Sequence, residues 1–250
     1  MQNTTIKVAL VLALALCSQQ ASADLIHSYL FDDDVTDSTG EADGTLFNGA
    51  SVIDGALVLD GVDDYAEFDL QIIPTSGSYS VALFAAQDQP QTNEFVELIS
   101  QGESTAACSG CGPGFYIGHD TDGDIRATDA WFPTPEVVFP SDGTFHHFAL
   151  VVDAIANISS LFVDGELLAQ FNSAISTTTD GSPTRLGRQF DPIGEFFAGS
   201  IDNVFVYDSA ITANEVGRLA QALSVPEPGT LALLGAGLIG MGFARRRKKA

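Results

Sequence analysis

The chain has 250 residues, 33 of them Asp or Glu against 10 Lys or Arg, for a formal charge of −23. Six of the ten cations (Lys7, Arg245, Arg246, Arg247, Lys248, Lys249) sit in the end segments, so residues 24–224 carry 4 basic and 32 acidic side chains. This excludes a nucleic-acid surface or docking on anionic lipid, both of which need clustered Lys and Arg. At 45% hydrophobic, with 17 Phe, the chain is equally unlike a disordered acidic tail. Some 200 body residues suit one domain with a substantial core.

The N-terminus places Lys7 before the apolar run 8–16, followed by polar residues and Ala21-Ser22-Ala23. A positive start, a short apolar middle and an A-x-A site predict a secretory signal peptide over 1–23, cleaved after Ala23. Nine residues at ~1.5 Å each do not cross a ~30 Å hydrocarbon core. Lipidation at Cys17 is disfavoured, because Leu16 stands where that chemistry needs a small residue.

Through the body, apolar alternation is interrupted by Gly, Asp, Asn and Pro. Strands are expected over 25–31, 80–84, 95–99, 114–118, 145–153, 160–163 and 201–207. Short strands with turn signals and almost no helical periodicity predict an all-β, two-sheet antiparallel sandwich. Asp122-Gly123 and Asp164-Gly165 read as two-residue hairpin turns. One short helix is predicted over 212–223, where Thr212 and Glu215 form a capping box and Val216, Leu219 and Ala220 share a face.

The C-terminus (225–250) runs Pro226-Glu227-Pro228, an apolar stretch over 230–244, then Arg245, Arg246, Arg247, Lys248 and Lys249. Fifteen helical residues span about 22 Å, short for a bilayer, but flanking arginines snorkel and lipid thins. The segment is read as a transmembrane helix, its basic end cytoplasmic and the acidic body outside. Gly235, Gly237, Gly240 and Gly242 would be costly inside a soluble helix. This order of motifs resembles the PEP-CTERM sorting signal of Gram-negative bacteria. The resemblance implies processing near Pro226-Glu227-Pro228 by an exosortase, transient anchoring in the inner membrane, and a cell that exports exopolysaccharide.

A second resemblance covers nearly all of the body. Phe31-Asp32 leads through Asp37-Ser38-Thr39-Gly40 to Asp43-Gly44-Thr45. Then come Leu59-Asp60-Gly61-Val62-Asp63-Asp64-Tyr65-Ala66-Glu67-Phe68, Asp142-Gly143-Thr144-Phe145-His146-His147-Phe148, Leu161-Phe162-Val163-Asp164-Gly165 and Gly199-Ser200-Ile201-Asp202-Asn203-Val204-Phe205. In this order they resemble the laminin-G-like, concanavalin A-like jelly roll, a fold that hosts lectins, adhesion modules, hydrolases and spacers alike.

Glucanases of that superfamily carry a Glu-x-Asp-x-x-Glu strand, and glycoside hydrolysis generally needs a flanking carboxylate pair. No such spacing occurs; Glu94 and Glu97, three apart, face opposite sides of a strand. The expectation is no enzyme, with a divergent glycan hydrolase as the distant alternative. Adjacent His146 and His147 point to opposite faces and do not share an ion. Cys108 and Cys111, in a Gly-rich loop of an exported protein, are read as a disulfide rather than a zinc or redox site. Asp120, Asp122 and Asp124 mimic an EF-hand opening, but Ile125 and Trp131 replace its Gly and Glu, and a hairpin explains them better. Likeness to the pentraxin branch implies calcium ligands after Leu186-Gly187, here Gln189 and Asp191, although that branch has an acid where Gln189 stands. Trp131 is either a glycan or partner contact or a loop anchor. The expected function is an exported, non-catalytic surface or matrix protein binding polysaccharide or a protein partner through its sandwich loops. The alternative is a passive matrix protein whose acidic surface hydrates and bridges ions.

Overall fold

The computed structural model describes residues 23–92, 94–102, 115–127, 137–175, 182–189 and 194–222, which form fourteen strands and one helix. Turn chemistry decides several of the reversals. Asp54 and Gly55 (φ 51° and 82°) join β3 (Ser51–Ile53) to β4 (Ala56–Asp60), and Asp164 and Gly165 (φ 50° and 82°) join β11 (Ile158–Val163) to β12 (Glu166–Phe171). Two consecutive left-handed residues make the turn whose twist matches a hairpin. The expected Asp164-Gly165 turn forms; Asp54-Gly55 carried the same signal unread. At Asp122-Gly123 the hairpin between β8 (Phe115–His119) and β9 (Ile125–Ala127) forms, but not as a two-residue turn. Gly123 N–H donates to Asp120 O (3.0 Å), Asp120 N–H donates to Asp124 O (2.9 Å), and Gly123 has φ 87°. The loop closes on three residues because Asp120 Oδ1 accepts the amides of Asp122 and Asp124. The acidic triplet is thereby a turn device.

All pairings are antiparallel. One eight-stranded sheet runs β12, β11, β10 (His146–Asp153), β6 (Tyr79–Ala86), β14 (Ala198–Tyr207), β4, β3, with β1 (Leu25–Tyr29) also on β14. The ten residues of β14 serve two partners on one edge, β4 through Ala198–Ile201 and β1 through Val204–Tyr207. The six-stranded sheet runs β2 (Gly44–Phe47), β5 (Tyr65–Phe68), β13 (Thr184–Leu186), β7 (Val96–Gln101), β8, β9. Tyr29, Phe68, Leu83, Leu98, Phe115, Phe148, Phe197 and Ile201 pack between the sheets with essentially no exposed surface. This is the two-sheet sandwich expected from alternation, with both inner faces apolar.

Helix α1 (Ala213–Ala222) begins at the expected cap: Thr212 N–H donates to Glu215 Oε2 (2.7 Å), and Glu215 N–H returns to Thr212 Oγ1 (3.3 Å). Val216 is fully buried and, with Ile211, covers Ala82, Ala149, Val151 and Phe162 on the outer face of the eight-stranded sheet. Among the described residues no helix is long and apolar enough to cross a membrane; the stretch 230–244 lies outside them.

Candidate functional site

The outer face of the six-stranded sheet gathers the cations of the body. The alternation that sends Ala66, Phe68, Leu186, Ile99, Ile117 and Ile125 into the core turns Glu67, Arg185, Ser100, Tyr116 and Arg126 outward. Register then lines them up: Thr45 opposite Glu67, Glu67 opposite Arg185, Arg185 opposite Ser100, Ser100 opposite Tyr116. A second row runs Glu97, Gly118, Arg126. With Arg188, just past β13, three of the four arginines of residues 24–224 share this face; the fourth, Arg218, is on α1.

Carboxylates, rings or both hold each guanidinium. Arg185 Nε donates to Glu67 Oε2 at 2.6 Å. Arg126 Nη2 pairs with the fully buried Glu97 and lies 3.3 Å from Glu195 Oε2. Its Nη1 lies 3.3 Å from the Tyr116 hydroxyl, and its plane sits 4.3 Å from the Phe95 ring and 4.5 Å from that of Tyr116. Arg188 sits 4.6 Å from the Tyr65 ring and 5.2 Å from that of Phe196, and its Nε donates to Gln189 O (3.0 Å). Such ion pairs and cation–π stacks immobilise side chains that are otherwise flexible. The room for them comes from Gly118, where a Cβ would fall 1.9 Å from Val96 O and 2.6 Å from Glu97 Oε2.

Three Glu balance three Arg, so this face is near neutral inside an acidic body. Its half-buried margin is aromatic: Phe47 and Tyr65 are register partners with parallel rings (centroids 4.7 Å apart, 4° between planes). A rigid ring platform beside fixed carboxylates and guanidinium groups suits a ligand with apolar ring faces and many hydroxyls.

Of the expected site residues, Gln189 belongs to this face. It is 5% exposed, its Nε2 lies 3.4 Å from Glu97 Oε1, and its Oε1 has no hydrogen-bond partner. Asp191, Trp131, Cys108, Cys111 and the sorting-motif residues Pro226, Glu227, Pro228, Arg245, Arg246 and Arg247 lie outside the described residues. His146 and His147 part as alternation requires. His147, 1% exposed, packs edge-on to Phe84 at 5.0 Å, and burial pushes its pKa down to about 4. His146 bridges Asp164 Oδ2 (2.8 Å) and Asp142 Oδ1 (3.3 Å); burial opposes its charge, but these carboxylates raise its pKa above the ordinary value. Among the described residues, one carboxylate trio, Asp60, Asp63 and Asp64, is close enough to hold a cation. Three of its oxygens already accept backbone amides: Asp64 takes those of Gly49 (2.6 Å) and Asp60 (3.1 Å), and Asp60 takes that of Val62 (2.8 Å). The trio stitches a turn.

Residues 60–217 match the concanavalin A-like lectin/glucanases superfamily. The chain belongs to that superfamily. Residues 224–248 match the PEP-CTERM protein-sorting motif, which marks the superfamily member as an exported protein with a membrane-anchored precursor bound for the surface, and implies exosortase processing. No curated protein matches the chain in sequence. Solved structures share the fold. Domain 4 of the extracellular GH43 arabinanase AbnA from Geobacillus stearothermophilus, in complex with arabinotriose, is 22% identical, with TM-score 0.65 over 80% of this chain and 99% of that one. Trypanosoma rangeli sialidase is 14% identical with TM-score 0.59, and the match covers 80% of this chain but 33% of the sialidase. The binding domain of Paraclostridial Mosquitocidal Protein 1 is 12% identical, with TM-score 0.57 over 80% and 52%.

The Tyr65–Arg188 stack and the Arg185–Glu67 pair were not anticipated. The signal for one half was present, since Tyr65-Ala66-Glu67-Phe68 alternates polar and apolar. Nothing local joins it to Arg185, 118 residues away.

Proposed function

We propose that this is a non-catalytic binding module of the cell surface or extracellular matrix, and that it engages polysaccharide across the outer face of the six-stranded sheet. The observation that carries this reading is the concentration of three arginines, each stacked or paired, beside the parallel Phe47 and Tyr65 rings on an otherwise acidic body. Sugar rings offer apolar faces to aromatic planes, and their hydroxyls suit fixed carboxylates and guanidinium groups. The resemblance to an arabinanase domain in complex with arabinotriose is consistent with a glycan ligand. Absence of catalysis is supported by Glu97, which is locked to Arg126 and has no free role as acid or base. Calcium, through Gln189 and Asp191, is a separate arm of the same proposal.

A glycan array probed with the full-length chain, with calcium and with chelator, tests it. Binding that Tyr65→Ala weakens about tenfold is expected, a loss of about 1.4 kcal/mol. No glycan bound in either condition overturns the polysaccharide reading and leaves the passive matrix protein. Turnover of any bound glycan overturns the non-catalytic part alone.

A further inference from the structure

The opposite side of the molecule holds a separate cavity of about 790 Å³, between the start of β10 and the last turn of α1 on the outer face of the eight-stranded sheet. Its floor is Phe84 and Asp202, which are register partners on β6 and β14; Phe145 and Asp164 contribute walls, and Gln221 closes the helix side. That volume lies within the usual range for small-molecule sites.

Its two carboxylates differ in what they have left to give. Asp164 is committed: Oδ1 accepts the His147 amide (2.9 Å) and Oδ2 bonds His146 Nδ1 (2.8 Å). Asp202 is only 8% exposed; Asn203 hydrogen-bonds its carboxylate, but its Oδ1 has no partner, and among the described residues no Lys or Arg lines the cavity. Burial pushes its pKa up to about 6 against the hydrogen bonds of Asn203, with the charge of Asp32 adding to the rise. The charged groups around it do not compensate it. His147, behind Phe84, is held neutral, while His146 is already shared between Asp164 and Asp142; Asp32 is negative, and α1 contributes only Ala220 and Gln221 here. Near neutral pH a buried carboxylate therefore faces an open cavity without a counter-charge, which is costly unless a cation fills the role.

We propose that this cavity is a binding site for a small organic ammonium of amino-sugar size, its cationic nitrogen on Asp202 and its carbon skeleton against Phe84 and Phe145. Phe145 is 41% exposed at the rim, and an aromatic face attracts a cation electrostatically. A hard metal ion fits poorly: calcium takes six to eight oxygens, and this cavity offers one carboxylate oxygen without a partner, among rings. The site is independent of the six-stranded face and stands or falls apart from the polysaccharide reading.

Calorimetric titration of the full-length chain in detergent with glucosamine tests it, with glucose and N-acetylglucosamine as uncharged controls and calcium chloride as a fourth arm. Glucosamine is expected to bind at least about tenfold tighter than either uncharged sugar, as a charge-assisted hydrogen bond provides. Asp202→Asn should abolish that preference, Phe145→Ala should weaken binding several-fold, and Tyr65→Ala should leave it unchanged. Lowering the pH from 7.5 to 5 should weaken it as Asp202 takes up its proton. Equal binding of glucose and glucosamine, calcium binding that Asp202→Asn removes, or no glucosamine binding at millimolar concentration overturns the site. Should Asp202→Asn misfold by circular dichroism, Phe145→Ala decides, and an unchanged affinity there counts against it.

Discussion

Asp37 shows how much one side chain does in this fold. Its Oδ1 accepts the amides of Ser28 (3.0 Å) and Thr39 (3.1 Å), and its Oδ2 bonds His27 Nδ1 at 2.6 Å. Burial favours the neutral acid, but hydrogen bonds from His27, Ser28, Thr39 and Gly40 overcome that and hold the carboxyl at about 2. A depressed carboxyl lends stability that is complete above the ordinary Asp range and is lost as pH falls toward 2. Asp37→Asn should therefore cost about 2–3 kcal/mol at pH 7 in urea melts, and the gap between the two proteins should close below pH 3. Gly40 belongs to the same device, since a Cβ there would lie 2.3 Å from Asp37 Oδ2. The phrase Asp37-Ser38-Thr39-Gly40 was recognisable in the sequence as a family feature. Its physical reason, tying β1 to the following loop, needed coordinates.

Among the elements, the pairing of β7 with β8 positions the arginine face. Gly118 lets β7 and the Glu97 carboxylate approach closely, and a register shift between Glu97 and Ile99 turns Glu97 outward while both Leu98 and Ile99 enter the core. Gly118→Ala should cost about 1–3 kcal/mol through overpacking and should weaken glycan binding by displacing the Arg126–Glu97 pair. Thermal unfolding together with array binding checks both effects. Helix α1 depends on its cap in a simpler way: Thr212→Ala should cost about 1 kcal/mol, read in the same melts. The cap was legible because it is local, four residues long, and needs no partner elsewhere. Strands β2, β3, β9 and β13 were harder to see, because at three or four residues alternation is barely expressed before a turn interrupts it.

At the scale of the molecule, two neighbouring buried groups act oppositely on acid stability. His147 is held neutral, so its contribution is complete above pH 6.5 and is lost as pH falls toward 4. Asp202 is held protonated up to about pH 6, so its contribution is present below pH 4 and is lost as pH rises through 6. Between pH 4 and 6.5 the two partly cancel, and single substitutions should expose each. Asp202→Asn should stabilise the chain at pH 7.5 and make no difference at pH 3.5, whereas His147→Phe should remove loss on the acid side. Urea midpoints across pH 3.5–7.5 give the comparison. The ends of the chain act at the same scale: mass spectrometry of the exported protein should find the N-terminus at Asp24 and the C-terminus near Pro226-Glu227-Pro228. Retention of residues 245–249 on mature protein would falsify that processing.

What the sequence determined alone is what repeats locally: the period-two alternation of a sandwich, the hairpin at Asp164-Gly165, the Thr212 cap, and the order of motifs at the C-terminus that marks the chain for export. These depend on residues within a few positions of one another, so spacing and side-chain type suffice. Only the tertiary structure decided that Arg126, Arg185 and Arg188 meet Glu67, Glu97 and Glu195 on one face, and that Asp202 floors a cavity without a counter-charge. Antiparallel register brings together residues a hundred positions apart, and that register is set by which faces the core buries, a property of all the strands together rather than of any one of them.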